Sequence, residues 1–175
     1  MDDPITVVGV DPGLVHTGIV RLSFNQPSRY WAVDYDVVES KLDPAGKLLA
    51  AVTAQRVGVA VLDIARYPGK HVFVEAYRDR GNSYSTDGPM RQLMQHLGAT
   101  LPGSKVIDNT GVRKVVKPAL LKLLGVHKFE KTTHHQDLEA AARIALYGML
   151  KDDELNAMLG EIVLMRNSPQ PWTTV

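Results

Sequence analysis

The stretch ITVVGVDPGLVHTGIVRLSF, residues 5–24, decides how the chain folds. Ile5 to Val10 is rich in β-branched residues and stops at Asp11-Pro12-Gly13, so it reads as a strand closed by turn chemistry. Thr17 to Phe24 reads as a second strand and Asn25-Gln26-Pro27-Ser28 as the turn after it. Tyr30 to Val38 then alternates apolar with polar residues, the period of a third strand. Three strands with short links predict an antiparallel meander, and Asp11 falls where its first strand ends.

Downstream, Pro44 is expected to open a long helix to about Arg66, with Leu48, Leu49, Val52, Val59 and Leu62 on one face. Tyr67-Pro68-Gly69 ends it. His71 to Val74 has the look of a buried strand and runs straight into Glu75. Gly81 to Gly88 is polar and rich in Ser, Asn and Gly, the composition of a loop. Met90, Leu93, Met94 and Leu97 mark a short helix stopped by Gly98. Lys105 to Ile107 is a fifth strand, followed by a basic helix around Pro118 to Leu124. Thr132 or Thr133 can cap the next helix, whose apolar face is Leu138, Ala141, Ala142, Ala145, Leu146 and Met149. A last helix runs from Asp153 to about Met165. The expected fold is α/β: a mixed five-stranded sheet, meander plus parallel strands, with helices on both faces. One domain is expected over residues 1–165, with a C-terminal tail at 166–175.

Composition narrows the chemistry. The 175 residues include no cysteine, which excludes disulfides, thiolate zinc sites and cysteine nucleophiles and fits a reducing cytoplasm. The first ten residues, MDDPITVVGV, are acidic with a short apolar run, unlike a signal peptide. No stretch approaches the ~20 apolar residues that span a bilayer, so no membrane partner is expected. Net charge is +1, but it is unevenly spread. Arg113, Lys114, Lys117, Lys122, Lys128 and Lys131 stand against one acid, Glu130, whereas residues 1–63 hold eight acids and five bases. Such asymmetry suits a protein that grips phosphates on one face, although a solvated helix face has the same appearance.

Four side chains carry the candidate chemistry. Asp11 and Glu75 each end a strand, and they meet if those strands are neighbours. His134 and Asp137, spaced i,i+3 at the start of the Ala-rich helix, would close the group from the side. Three carboxylates crowded together repel as bare anions and, with an imidazole beside them, become stable when divalent cations bridge the group. Two such ions ~4 Å apart activate a water and stabilise the leaving oxygen of a phosphodiester. Taken singly each piece is ordinary. Asp-Pro-Gly is a common turn, and acidic residues favour helix starts for the sake of the dipole.

Three segments together resemble a family. VVGVDPGLVHTGIVRL, residues 7–22, is similar to the first strand, catalytic Asp and second strand of RuvC-type Holliday junction resolvases. HVFVEAYRDRGNS, residues 71–83, resembles their second catalytic strand, and HHQDLEAAARIALYGML, residues 134–150, their C-terminal catalytic helix. The resemblance spans about residues 5–150. It implies an RNase H-like fold and a homodimer in a bacterial cell or phage-infected host. Each subunit would nick one strand of a four-way DNA junction with Mg²⁺ or Mn²⁺, two ions per site. It further implies Asp11, Glu75, His134 and Asp137 as catalytic metal ligands. His134 stands where many relatives carry a carboxylate, which would favour Mn²⁺ tolerance or a role in orienting or deprotonating water. His135 points elsewhere on the helix and ranks second, and Glu139 is expected to be solvated.

The chain also departs from the family. Three positions after the Glu, where relatives have an aromatic residue, stands Arg78, and the aromatic is Tyr77. Tyr77 would stack on an unpaired base and Arg78 would bind phosphate, and with this change cleavage of other branched DNA besides the four-way junction is an open expectation. Arg80 and Arg91 flank the polar loop and would clamp a junction arm. Arg113, Lys114, Lys117, Lys122, Lys128 and Lys131 would supply salt-sensitive phosphate contacts. The Met-Leu stripe of residues 90–97 is a candidate dimer contact, with packing on the sheet as the alternative. Actin-like ATPases and sugar kinases share the strand-Asp-x-Gly turn, but they need two such domains and a second phosphate-binding glycine motif. A nuclease of RNA-DNA hybrid and a non-catalytic DNA-binding module of the same fold are the other readings.

Overall fold

The computed structural model describes residues 4–25, 28, 30–64, 70–78 and 86–167. The chain runs through β1 (Ile5–Asp11), β2 (His16–Asn25), β3 (Tyr30–Glu39), α1 (Ala50–Ile64), β4 (Lys70–Glu75), α2 (Asp87–Thr100), β5 (Lys105–Ile107), α3 (Val112–Val115), α4 (Pro118–Leu124), α5 (His135–Leu150) and α6 (Asp153–Arg166). The strands form one sheet in the order β3-β2-β1-β4-β5. β1–β2 and β2–β3 are antiparallel, the expected meander, while β1–β4 and β4–β5 are parallel.

Alternation along each strand sorts side chains onto two faces. Val7, Val20, Leu22, Phe24, Trp31 and Phe73 pack with the buried faces of α3 to α6. Val8, Val10, Ile19, Val38 and Val74 pack with α1 and α2 on the other side. Helices thus cover both faces, as expected. The same parity places Gly9 and Asp11 with Val7, Glu75 with Phe73, and His16 and Gly18 with Val20, all on the α5 face.

α5 lies flush on the sheet because small residues meet there. A Cβ on Gly9 would land on the Ala141 carbonyl oxygen and 2.9 Å from the Ala145 Cβ. A Cβ on Gly18 would strike the Asp137 carbonyl, and one on Gly148 the Phe73 ring. Ala141, Ala142 and Ala145 are fully buried at this contact.

Several sequence expectations change. Pro44 does not open the first helix. Asp43 accepts backbone N–H bonds from Ala45 and Lys47 through its side chain, Gly46 adopts φ 78°, and Leu42 bridges Leu48. That local turn uses the Asp-Pro start, and α1 begins only at Ala50. Its buried stripe is Ala50, Thr53, Ala54, Val57, Ala60 and Val61, so α1 sits close to the sheet through small residues. The Leu49, Val52, Val59 and Leu62 stripe faces solvent instead, with Val59 58% and Leu62 55% exposed. Gly98 does not stop α2, which continues to Thr100. Met90, Leu93 and Leu97 are buried against the sheet and α1, so ordinary packing accounts for that stripe and removes it as a dimer face.

The connections expected at residues 26–27, 67–69 and 81–85, and the tail beyond 167, fall outside the described residues. No described helix is long and apolar enough to cross a membrane.

Candidate metal centre

The parallel register Val10↔Val74 carries β1 and β4 to a common end, so Asp11 and Glu75 emerge side by side. Both stand on the α5 face, as the alternation requires. The Asp11 carboxyl is pushed up to about 9, first by burial, then by its hydrogen bond to Glu75 and by the charges of Glu75 and Asp137, with Arg113 opposing. Two carboxylates in hydrogen-bond contact cannot both ionise comfortably unless a cation sits with them. This donor set of crowded carboxyl oxygens fits a hard divalent ion of the Mg²⁺ or Mn²⁺ kind. Asp11 and Glu75 would hold it, with Asp137 near enough for its charge to act on Asp11.

Asp137 reaches this point through the glycine contact. Asp11 pairs with Gly18 across the β1–β2 ladder, and the Asp137 carbonyl lies directly over Gly18. His134 is the N-cap residue of α5 rather than part of its first turn, and its side chain makes no capping bond. Neither Thr132 nor Thr133 is the cap. Thr132 instead accepts a 3.0 Å bond on Oγ1 from the His134 N–H. Lys131, at φ 58°, turns the backbone just upstream. His134 Nδ1 is then 3.4 Å from Asp137 Oδ2, so the pair does converge. His135 Nδ1 accepts a 3.3 Å bond from the Phe129 N–H and ties down the preceding loop. Glu139 is not simply solvated. It pairs at 2.7 Å with Arg143, a residue only 8% exposed whose guanidinium also donates to the Val116 carbonyl.

The sequence reading missed two residues at this rim. Asn109, just past β5, donates through Nδ2 to Glu75 Oε1. His16, the first residue of β2, packs its ring 4.2 Å from that of His134, tilted by 50°. Strand parity could have found His16, since it shares a face with Gly18. Asn109 could not be found that way, because a three-residue edge strand gives its end little definition. Asn109→Ala leaves one Glu75 oxygen without its donor. We expect the affinity of the rim for a divalent ion to fall about tenfold to a hundredfold, the range for losing a group that orients a ligand. Calorimetric titration of both proteins with Mn²⁺ checks this.

Tyr77 is half-buried with its hydroxyl donating to the buried Asp87, so it joins the end of β4 to the start of α2. Its ring nevertheless lines a 300 Å³ pocket with Pro12, Glu75, Arg78, Met90 and Asn109. Arg78 pairs with Asp108, and that contact, with help from Thr110, holds the Asp108 carboxyl down at about 2. The pair is open to solvent, so a phosphate can compete for the guanidinium. Arg91 bonds the Asp87 carbonyl at 3.5 Å. Arg113 and Lys114 line a larger groove of about 710 Å³ with Asn109, Gln136, Glu139 and Arg143. Lys117, Lys122, Lys128 and Lys131 do not line that groove. Arg80 lies outside the described residues.

No family model matches the sequence, and no curated protein does. The chain is similar in structure to Thermus thermophilus RuvC in complex with Holliday junction substrate. The TM-score is 0.58 at 19% identity, covering 89% of this chain and 97% of that one. Another structure of Thermus thermophilus RuvC gives 0.53 at 18% identity over the same shares. The Fowlpox virus resolvase with its substrate Holliday junction DNA gives 0.46 at 12% identity, over 89% of this chain and 99% of that one. The two Thermus likenesses establish the fold, the RNase H-like mixed sheet with helices on both faces.

Proposed function

We propose that the protein is a divalent-metal-dependent endonuclease that resolves four-way DNA junctions by paired nicks. The convergence of Asp11, Glu75 and Asp137 at one end of the sheet carries this reading. Its supports are a fold shared with a resolvase structure that holds a Holliday junction and a basic groove opening beside the carboxylates. In this reading Asp11, Glu75, His134 and Asp137 are the catalytic ligands. A bound ion supplies a nucleophilic water and neutralises the charge that builds on the scissile phosphate. The side chains do the positioning. Asn109 fixes the rotamer of Glu75, Gly18 lets α5 set Asp137 against Asp11, and Arg113 and Lys114 draw the phosphate backbone into the groove.

Paired nicks require two such sites facing opposed strands, so the working unit is a homodimer. The exposed Val52, Val59 and Leu62 of α1, with Leu49 just ahead of it, support this, because an apolar stripe of that length in water favours a partner. Arg78, released from Asp108 by a phosphate, and Tyr77 at the mouth of its pocket would meet the DNA near the cut. Arg80, Lys117, Lys122, Lys128 and Lys131 would extend the grip along the arms.

The deciding experiment offers purified protein with Mg²⁺ or Mn²⁺ a four-way junction, a flap, a linear duplex and an RNA-DNA hybrid. Symmetric paired nicks confined to the junction are expected. Cutting of the hybrid at an equal rate would overturn the substrate assignment, and binding without any cutting would leave a DNA-recognition module.

Charge removal gives a separate prediction. Arg113→Ala with Lys114→Ala and Lys117→Ala should weaken junction binding and flatten its salt dependence, by roughly one unit of log-log slope for each phosphate no longer neutralised. Titrations across salt concentration measure it. An unchanged slope would place the DNA on another face.

A further inference from the structure

The resemblance accounts for four ligand positions, and the structure brings a fifth donor to the same rim. His16 enters there because of how the Asp11–His16 loop is built. Gly13 lies so close over the His16 carbonyl that no Cβ fits between them. Ser40 then pins the loop from the end of β3, donating its N–H to the Val15 carbonyl at 2.8 Å and its hydroxyl to the Gly13 carbonyl at 3.3 Å. β2 therefore starts with its first side chain on the α5 face, beneath His134. One donor atom from each of His16, His134 and Asp137 lies within 4.8 Å of the other two, and all three residues are partly open to solvent. Donors about 2.1 Å from a common ion stand some 3–4 Å apart, so small ring rotations bring this set to bonding distance.

We propose that His16, His134 and Asp137 form an imidazole-rich ion position that takes Mn²⁺ in preference to Mg²⁺. It lies beside a carboxylate position built on Asp11 and Glu75, close enough for the Asp137 charge to act on Asp11. This rests on the reading of the rim as a metal-dependent nuclease centre, and it makes the two ions chemically unequal. Two imidazoles and one carboxylate are a borderline-soft set that suits Mn²⁺, Co²⁺ or Zn²⁺, whereas Mg²⁺ keeps to oxygen donors and holds its water. The position on Asp11 and Glu75 offers oxygen only and accepts Mg²⁺. His16 acts here solely as a nitrogen donor to the ion.

The test measures Mn²⁺ binding to the full chain without DNA, by the electron paramagnetic resonance signal of free Mn²⁺ in a large excess of Mg²⁺. Wild type should retain one Mn²⁺ per chain under Mg²⁺ competition. His16→Ala should lose affinity for that ion by roughly tenfold or more. His16→Asp should hold an ion still, but with its Mn²⁺-over-Mg²⁺ discrimination reduced by about the same factor, because an oxygen has replaced a nitrogen. The aspartate variant keeps the test sharp if the alanine variant folds poorly. Retention of the competed Mn²⁺ by a folded His16→Ala protein would overturn the proposal. So would an aspartate variant, folded by circular dichroism, that binds no ion or discriminates as wild type does. Junction cleavage by wild type is scored separately. A chain that holds His16-dependent Mn²⁺ yet cuts no junction overturns the nuclease reading and leaves the ion position standing. A chain that cuts junctions while His16→Ala holds Mn²⁺ normally does the reverse.

Discussion

Asp11→Asn is expected to abolish cleavage while making the metal-free protein more stable. On the activity side, an amide replaces an anionic ligand and several kcal/mol of charge stabilisation goes with it. That corresponds to about a thousandfold or more in rate, with junction binding kept because the basic groove is untouched. On the stability side the sign follows from linkage. Asp11 has a carboxyl raised to about 9 in the folded protein, chiefly by burial and by Glu75, from an ordinary 3.8. Well below the ordinary value the group is protonated in both folded and unfolded chains and costs nothing. Between 3.8 and about 9 the unfolded chain ionises while the folded one must keep its proton. Folding stability therefore falls as pH rises through that window and levels off above it. Asparagine is neutral in both states and escapes this loss. Discounted for the partly open rim, the gain near pH 8 is about 2 kcal/mol, or roughly 5 °C in Tm for a chain of this size. Melting in a chelating buffer at pH 5 and pH 8 tests it, since the variant's advantage should be larger at pH 8. Added Mg²⁺ should raise the Tm of wild type more than that of the variant, because in wild type the ion takes the place of the shared proton. A variant that melts below wild type at pH 8 would mean that Asp11 is held by favourable contacts, and the metal reading of the rim would lose its physical basis.

The meander, the parallel strands and the α5 helix were all legible because their patterns are strong: β-branched runs, period-two alternation, and a long stripe of alanine and leucine. Glu75 was legible for a different reason, since a charge ending an apolar strand must find a partner, and it finds Asn109 and Asp11. What misled the reading of α1 was size. Its larger apolar residues form a helical stripe and so look like a core face, but the sheet accepts Ala54, Val57 and Val61 because they allow closer approach. Pro44 misled through chemistry, since an Asp-Pro pair serves a turn as well as a helix start, and Asp43 spends its side chain on the turn. His16 went unseen although its parity with Gly18 was available, because a histidine just past a turn carries no signal until its neighbour across the helix is known. Tyr77 is the reverse case, an aromatic residue that read as a DNA contact and whose hydroxyl the structure gives to Asp87.

Gly18→Ala should damage both folding and the metal centre, and Gly148→Ala should damage folding alone. In a β-strand, Gly→Ala ordinarily helps, by about 0.4–1 kcal/mol, because the unfolded chain loses freedom. Here the added Cβ would sit 2.6 Å from the Asp137 carbonyl carbon and closer still to its oxygen. Those are backbone atoms of a helix and cannot rotate away. α5 must lift from the sheet instead, at the roughly 1–3 kcal/mol typical of overpacking, and the net loss of about 1–2 kcal/mol lowers Tm by several degrees. The same lift draws Asp137 away from Asp11, so the Mg²⁺ concentration for half-maximal cleavage should rise about tenfold, the low end of what a displaced ligand costs. Gly148 meets the Phe73 ring further along α5, about 16 Å from Asp137 at the helical rise. Its alanine variant should melt lower by a similar amount and keep its Mg²⁺ requirement. If both variants shift the Mg²⁺ requirement equally, stability alone governs the site. If neither does, the docking of α5 is not what sets Asp137 against Asp11. A split between them would show that the glycine facing Asp11 across the ladder is what brings the helix carboxylate to the sheet carboxylates.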